Sequence, residues 1–183
     1  MFLAHLSVLN FKNHEDSSVD LSSNINCFVG NNGSGKTNLL DAIHYLSFTK
    51  SYFNSQDGLN IKHEKPFLSI EGHFYKDGKH DLVHCGIKRG AKKVMKRNKK
   101  SYERLVDHIG LFPLVMISPI DTNLILEGSE ARRKYLDAVI SQFDRAYLEN
   151  LIQYGKLIAH RNALLKQIAR GGQFDNSTLD LYD

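Results

Sequence analysis

The sequence predicts an α/β fold, on three observations. A glycine-rich stretch, GNNGSGKT at residues 30–37, lies between a short apolar run and a segment of helical apolar spacing. Two segments, residues 2–8 and 67–75, alternate apolar and polar side chains with the period of a half-buried strand. After Gly128 the apolar pattern becomes helical throughout. This divides the chain into a lobe at residues 1–128 and the start of a helical lobe at 129–183.

Each element has its own signal. Phe2, Ala4, Leu6 and Val8 mark a first strand, and Val19 and Leu21 a second. NINCFV at residues 24–29 reads as a short buried strand feeding the glycine-rich stretch. Leu39, Leu40, Ile43 and Leu46 then fall at helical spacing. Leu68, Ile70, Gly72 and Phe74 form a strand that Asp77–Gly78 turns back into Val83, Cys85 and Ile87, an antiparallel hairpin. Asn98–Lys99 lacks the glycine of an Asn-Gly turn, which weakens the reading of a tight turn there. LFPLVMIS at residues 111–118 reads as one more buried strand. Together these predict a mixed sheet with an antiparallel β-subdomain.

In the second lobe, Ser129 is placed to cap a helix whose apolar face carries Leu136, Val139, Ile140 and Phe143. A further helix carries Tyr147, Leu151, Tyr154, Ile158, Leu165 and Ile168, with Arg161 in one seam position. That spacing suits a helical arm packing lengthwise or an amphipathic helix on a globular core. GGQFDNS interrupts it, and LDLYD at 179–183 reads as the start of another helix, so the chain is expected to be cut short within this lobe.

Composition excludes several classes. The 183 residues are 42% hydrophobic and 24% charged, ordinary for a globular domain, and the formal charge is +4. So small a surplus implies an anionic partner only where it is clustered. Cys27 and Cys85 read as two buried thiols in a reducing compartment. The nine histidines form no metal-binding motif. The start MFLAHLSVLNF is no signal peptide, and no run approaches membrane-spanning length, which predicts a cytoplasmic protein without a membrane partner.

The glycine-rich stretch fits G-x-x-x-x-G-K-[ST], the loop whose backbone N–H groups cradle the phosphates of ATP. Gly30, Gly33 and Gly35 let the backbone turn inward, with Asn31, Asn32 and Ser34 between them and Asn38 just beyond. Lys36 would reach the β- and γ-phosphates, and the Thr37 hydroxyl would ligate Mg²⁺. Strands before this loop and an antiparallel sheet after its helix are the arrangement of ABC-type P-loop ATPase heads. Residues 88–100 concentrate eight cations, Lys88, Arg89, Lys92, Lys93, Lys96, Arg97, Lys99 and Lys100. Clustered charge of this kind suits phosphate contacts with DNA, or else a solvated hairpin.

NFKN at residues 10–13, the loop GNNGSGKTNLL, Ser118–Pro119 and RRKYLD at 132–137 resemble the RecF family of bacterial recombination-repair ATPases, related to SMC heads. The resemblance covers nearly the whole chain. It implies ATP-dependent homodimerisation, binding to gapped or junction DNA, and work with RecO and RecR to load RecA. It also implies that Lys12 and Asn13 lie near the nucleotide phosphates, with Lys in place of the family's more usual Arg. The family pattern puts Asp121 near the metal, whereas the residues alone read it as a helix cap. Arg132 and Arg133 match without a role of their own. Residues 92, 93, 96, 97, 99 and 100 are the DNA candidates. Hydrolysis in this class needs a carboxylate after four apolar residues, a second acid and a signature segment. LVMI at residues 114–117 is followed by Ser118 instead, so the chain is expected to bind ATP without turning it over. Rival readings are an ABC-type head from a transporter or anti-phage system, and a phosphotransferase.

Overall fold

A computed structural model describes residues 1–126 and 128–171, and the chain divides into two compact units, Met1–Met116 and Ile117–Asp183. The first is built on six strands: β1 (Phe2–Phe11), β2 (His14–Asp20), β3 (Phe67–Lys76), β4 (Lys79–Lys88), β5 (Val94–Arg97) and β6 (Lys100–Ser101). Their order is β2-β1-β3-β4-β5-β6, and every pairing is antiparallel. The alternation read from the sequence decides which side is buried. Leu6, Val8, Leu68, Ile70, Val83, Cys85, Ile87 and Met95 turn to one face, where Ala42, Tyr45 and Leu46 of helix α1 (Lys36–Phe48) complete the core. Gly72 allows the close approach of that helix, because a Cβ there would stand 2.5 Å from the Leu46 Cδ1 and 3.0 Å from the Leu3 Cδ1. Burial also pushes the Cys85 thiol up to about 12, so it is an inert packing group.

Two expected strands do not form. Residues 24–29 run without regular structure, with Ile25 and Val29 exposed, and 111–118 do likewise, with Val115 and Ile117 exposed. An apolar segment becomes a strand only when another strand takes its N–H and C=O groups. None of the six described strands runs alongside either segment. Asn26, inside the first segment, is instead linked locally to Ser22: the Ser22 N–H donates to the Asn26 Oδ1 at 2.7 Å and the Asn26 Nδ2 to the Ser22 C=O at 2.9 Å. Cys27 is consequently exposed, which corrects the expectation of two buried thiols.

The β3–β4 turn at Asp77 (φ 51°) and Gly78 (φ 74°) is the Asp-Gly hairpin the sequence predicts. Asn98 (φ 51°) and Lys99 (φ 68°) make a second tight turn between β5 and β6, against the expectation. The Asn98 side chain explains it. Its Oδ1 accepts the Leu82 N–H at 2.8 Å, and its Nδ2 donates to Asp81 at 2.7 Å, which pins the turn to β4. Lys99 is thereby held in a left-handed conformation that disfavours a side chain with a Cβ.

In the second unit, a 3₁₀ turn at Pro119–Thr122 leads into α2 (Asn123–Leu126), α3 (Ser129–Ile140) and α4 (Arg145–Ala169). Gly128, not Ser129, stands at the N-cap of α3, and Ser129 instead accepts Arg133 Nη1 on its Oγ at 2.7 Å. Asp144 caps α4 by accepting the Tyr147 N–H at 2.9 Å. Along α4, Tyr154 is 63% exposed and Ile158 and Leu165 are more than a third exposed, so no described helix covers this part of the stripe. The helix expected at 179–183 lies outside the described residues.

Replacing Lys99 by Gly should release the turn strain and raise stability by about 1 kcal/mol, moving the melting midpoint up by a few degrees. Differential scanning calorimetry measures it. An unchanged or lower midpoint would mean that the turn stores no strain at Lys99.

Candidate nucleotide-binding site and basic edge

The loop at residues 30–35 ends at Gly35 (φ 99°), the N-cap residue of α1. No side chain caps this helix and no acidic residue stands in its first turn. Its first N–H groups therefore lack intrahelical partners, and the positive end of its dipole has no competing anion. This is the arrangement that binds phosphate.

Side chains from the β1–β2 turn hold the loop in that place. Asn13 Nδ2 donates to the Gly33 C=O at 3.0 Å, and His14 Nε2 lies 3.1 Å from the Gly35 C=O. A carbonyl can only accept, so Nε2 donates, and Nδ1 lies 3.0 Å from the Ser17 hydroxyl. Asn38, in the first turn of α1, donates its Nδ2 to the Asn13 Oδ1 at 2.8 Å and closes the ring of contacts. The grip leaves no room for a side chain at position 35. A Cβ would stand 2.3 Å from His14 Nε2 and 2.7 Å from the Asn13 Oδ1.

The Lys36 ammonium bridges the Gly30 and Asn31 carbonyls, 2.8 Å from each, across the mouth of the loop. Those carbonyls hold it where phosphate oxygens would be its stronger partners. Thr37 is exposed beside it, with its hydroxyl on the same first turn. The donor set fits Mg-ATP: backbone N–H groups and an ammonium for the phosphates, and a hydroxyl oxygen for the cation.

Lys12 is paired within the fold. Its ammonium forms an ion pair at 2.6 Å with Asp41, a fully buried residue of α1, and lies 5.1 Å from the Phe53 ring centroid. Asp41 also accepts the Ser51 hydroxyl at 2.7 Å and the Tyr52 N–H at 2.6 Å. Removing one partner of such a pair strands a buried charge, typically at 3–5 kcal/mol, so Lys12 fastens the turn to the helix. Of the two positions, Asn13 bonds the loop directly. Asp121 accepts the Ser118 N–H at 2.5 Å, the geometry of a turn cap. Arg132 donates to the Leu124 C=O at 3.1 Å and ties α3 to α2, while Arg133, on Ser129, braces its own helix.

The basic run separates into two groups. Lys93 Nζ lies 2.9 Å from Asp57 and donates to the Thr49 C=O at 2.5 Å, over the Tyr45 ring. Tyr45 donates its own hydroxyl to Asp57, and burial raises its pKa further above the usual range. Arg97 grips Asp81 with two bonds of 2.8 Å, which hold that carboxyl below the usual range, and its guanidinium lies over Phe112. These two cations of the predicted set are committed to the fold. Lys92, Lys96, Lys99 and Lys100 have no ion pair among the described residues.

Sequence reading missed His14, Asp41 and Asp57. None belongs to a recognisable motif; only the adjacency of His14 to Asn13 offered a signal.

A phosphate loop at the head of a helix, backed by an antiparallel sheet, defines an ABC-type ATPase head. Residues 5–170 match the family model described as an AAA domain, and the chain belongs to that family. Within it, the chain is similar to the N-terminal portion of RecF. A DNA replication and repair protein RecF of Flavobacterium johnsoniae is 52% identical over 183 residues, covering 100% of this chain and 51% of the relative. One of Bacteroides thetaiotaomicron is 54% identical over 168 residues, covering 91% and 45%. A solved structure of the recombination mediator protein RecF with ATP, in the RecFOR pathway, superposes with a TM-score of 0.90 at 33% identity, covering 99% of this chain and 48% of that one. An SMC ATPase structure shares the fold at a TM-score of 0.60 and 19% identity. The chain spans about half the length of the curated relatives it matches.

Gly35→Ala should break the grip of Asn13 and His14, lower the melting midpoint and abolish any shift produced by Mg-ATP. Gly58→Ala, where a Cβ meets nothing within 4 Å, is the control. A Gly35→Ala protein with the control's midpoint and nucleotide response would show that the loop tolerates a side chain there.

Proposed function

We propose that this chain is the ATP-binding lobe of a RecF-like DNA repair ATPase. The observation that carries the reading is the grip of Asn13 and His14 on the loop, which presents Lys36 and Thr37 at the open end of α1. Residues 30–35 would wrap the phosphates with their N–H groups, Lys36 would leave its carbonyl partners for the β- and γ-oxygens, and Thr37 would hold Mg²⁺. Asn38 would set the loop through Asn13 rather than touch the nucleotide. In this reading residues 1–128 serve the nucleotide and 129–183 begin a helical lobe, while the compact units themselves divide at Met116 and Ile117.

Lys92, Lys96, Lys99 and Lys100 give the lobe a basic edge for DNA phosphates, with Lys93 and Arg97 as its internal supports. In the whole protein this would serve binding to gapped or junction DNA in the cytoplasm, ATP-dependent pairing of two copies, and RecA loading with RecO and RecR. The similarity to RecF supports these roles. No described helix is long and apolar enough to cross a membrane.

Turnover requires more than the loop. Phosphoryl transfer is catalysed by positioning and charge stabilisation, and the sequence offers no paired acids behind a four-residue apolar run and no signature segment to close over the γ-phosphate. The chain should therefore bind Mg-ATP saturably, release phosphate at the background rate and remain monomeric on ATP addition. Lys36→Ala should lose the thermal shift with Mg-ATP while keeping the unliganded midpoint, because its ammonium touches only loop carbonyls. An undiminished shift in the mutant, or DNA-stimulated phosphate release that Lys36→Ala abolishes, would contradict this reading.

A further inference from the structure

The sheet face opposite α1 carries a trough of about 790 Å³. Strand register shows how it is made. Leu9 on β1 pairs with Ser69 on β3, Ser69 with Gly86 on β4, and Gly86 with Val94 on β5. This row runs straight across four strands and is nearly bare at its centre, where Ser69 and Gly86 offer almost no side chain. The rows on either side are taller. Phe67 pairs with Lys88 on one side, and Glu71, His84 and Lys96 line up on the other. Ser69 Oγ lies 3.0 Å from His84 Nε2 and steadies that wall. The walls are four residues apart along the strands, about 13 Å between backbones before side chains narrow the gap. That width admits one flat ring and excludes a duplex.

The chemistry of the trough is two-sided. Its floor is apolar, and the Phe67 ring, 41% exposed, stands at one wall as a stacking surface. Lys88, Lys92 and Lys96 border it, and beyond Lys96 the β5–β6 hairpin carries Lys99 in its turn and Lys100 at the start of β6. A line of cations leading away from an apolar slot suits a polymer with a charge at every unit better than a single carboxylate.

We propose that this trough holds one unstacked base of single-stranded DNA, with the bordering lysines on the phosphates to either side. The inference rests on the reading of the basic edge as a DNA contact and adds to it a place for a base. Ring stacking and the lysine track together define the ligand, and no base-edge donor or acceptor is required, so the binding is indifferent to sequence.

The test uses the 183-residue chain with a fluorescein-labelled oligothymidine and a blunt duplex of equal length, each titrated at low salt. Gly86→Val fills the floor with a strand-forming side chain; its Cβ would lie 3.3 Å from the His84 Cε1, a distance that a small ring movement relieves. The expected result is about tenfold weaker oligothymidine binding with unchanged duplex affinity and melting midpoint. Phe67→Ala, which removes the stacking wall without adding bulk, should weaken oligothymidine similarly. Lys92→Ala combined with Lys96→Ala should weaken both ligands and flatten their salt dependence. Wild-type oligothymidine affinity in both Gly86→Val and Phe67→Ala, with duplex binding intact, would overturn the trough and leave the DNA reading standing. Failure of the unmodified chain to bind either ligand would overturn the DNA reading and the trough with it. An acidic phenylalanine-containing peptide that binds the unmodified chain more tightly than oligothymidine does, and loses affinity in Gly86→Val, would reassign the trough to a protein partner.

Discussion

The side chains of Asn13 and His14, laid on the backbone of the glycine loop, are the interaction on which the rest of this lobe depends. A loop rich in glycine has many conformations, and only one presents its N–H groups inward. Here two hydrogen bonds at 3.0 and 3.1 Å select it, and the bare Gly35 lets them approach. The turn that supplies them is itself fixed. The Lys12 N–H donates to the Asn60 C=O at 2.8 Å, the Lys62 N–H donates to the Asn10 C=O at 2.8 Å, and the Lys12 ammonium is paired with Asp41 on α1. Helix, turn and loop are thus one mechanical piece. The conformation of the loop is inherited from the antiparallel sheet, through β1 and β2.

The same sheet separates structure from surface by alternation alone. Its inner face and α1 bury Leu6, Ile70, Val83 and Met95, while its outer face carries the small-residue row and the lysines. The basic run is divided by the same logic. Lys93 and Arg97 lie against aromatic rings and carboxylates, where their stems and charges complete the packing. Lys92, Lys99 and Lys100 point outward from the same short hairpin. Charge counted along the sequence therefore overstates the charge available to a partner.

Much of this was legible in the sequence, for definite reasons. Strands β1, β3 and β4 alternate through their central residues, and Asp77–Gly78 names its own turn. The phosphate loop declares itself because glycine, lysine and threonine at fixed spacing serve one chemistry. Residues 24–29 and 111–118 were misread as strands because an apolar run signals burial, whereas a strand needs a neighbour, and none is among the six described. The Asn98–Lys99 turn was missed because the pin is a side chain reaching back to β4, a long-range bond that local turn statistics do not hold. Lys12 and Asp41, 29 positions apart, gave no local sign that they pair.

If the sheet sets the loop, then weakening the grip from the sheet side must weaken nucleotide binding even though Lys36 and every glycine are intact. Asn13→Ala removes the donor to Gly33 and the acceptor of Asn38 while leaving the core untouched. Calorimetric titration with Mg-ATP should show about tenfold weaker binding than the unmodified chain, the scale of one or two lost hydrogen bonds. Equal affinity for Asn13→Ala and the unmodified chain would mean that the loop holds its shape alone, and would contradict the account.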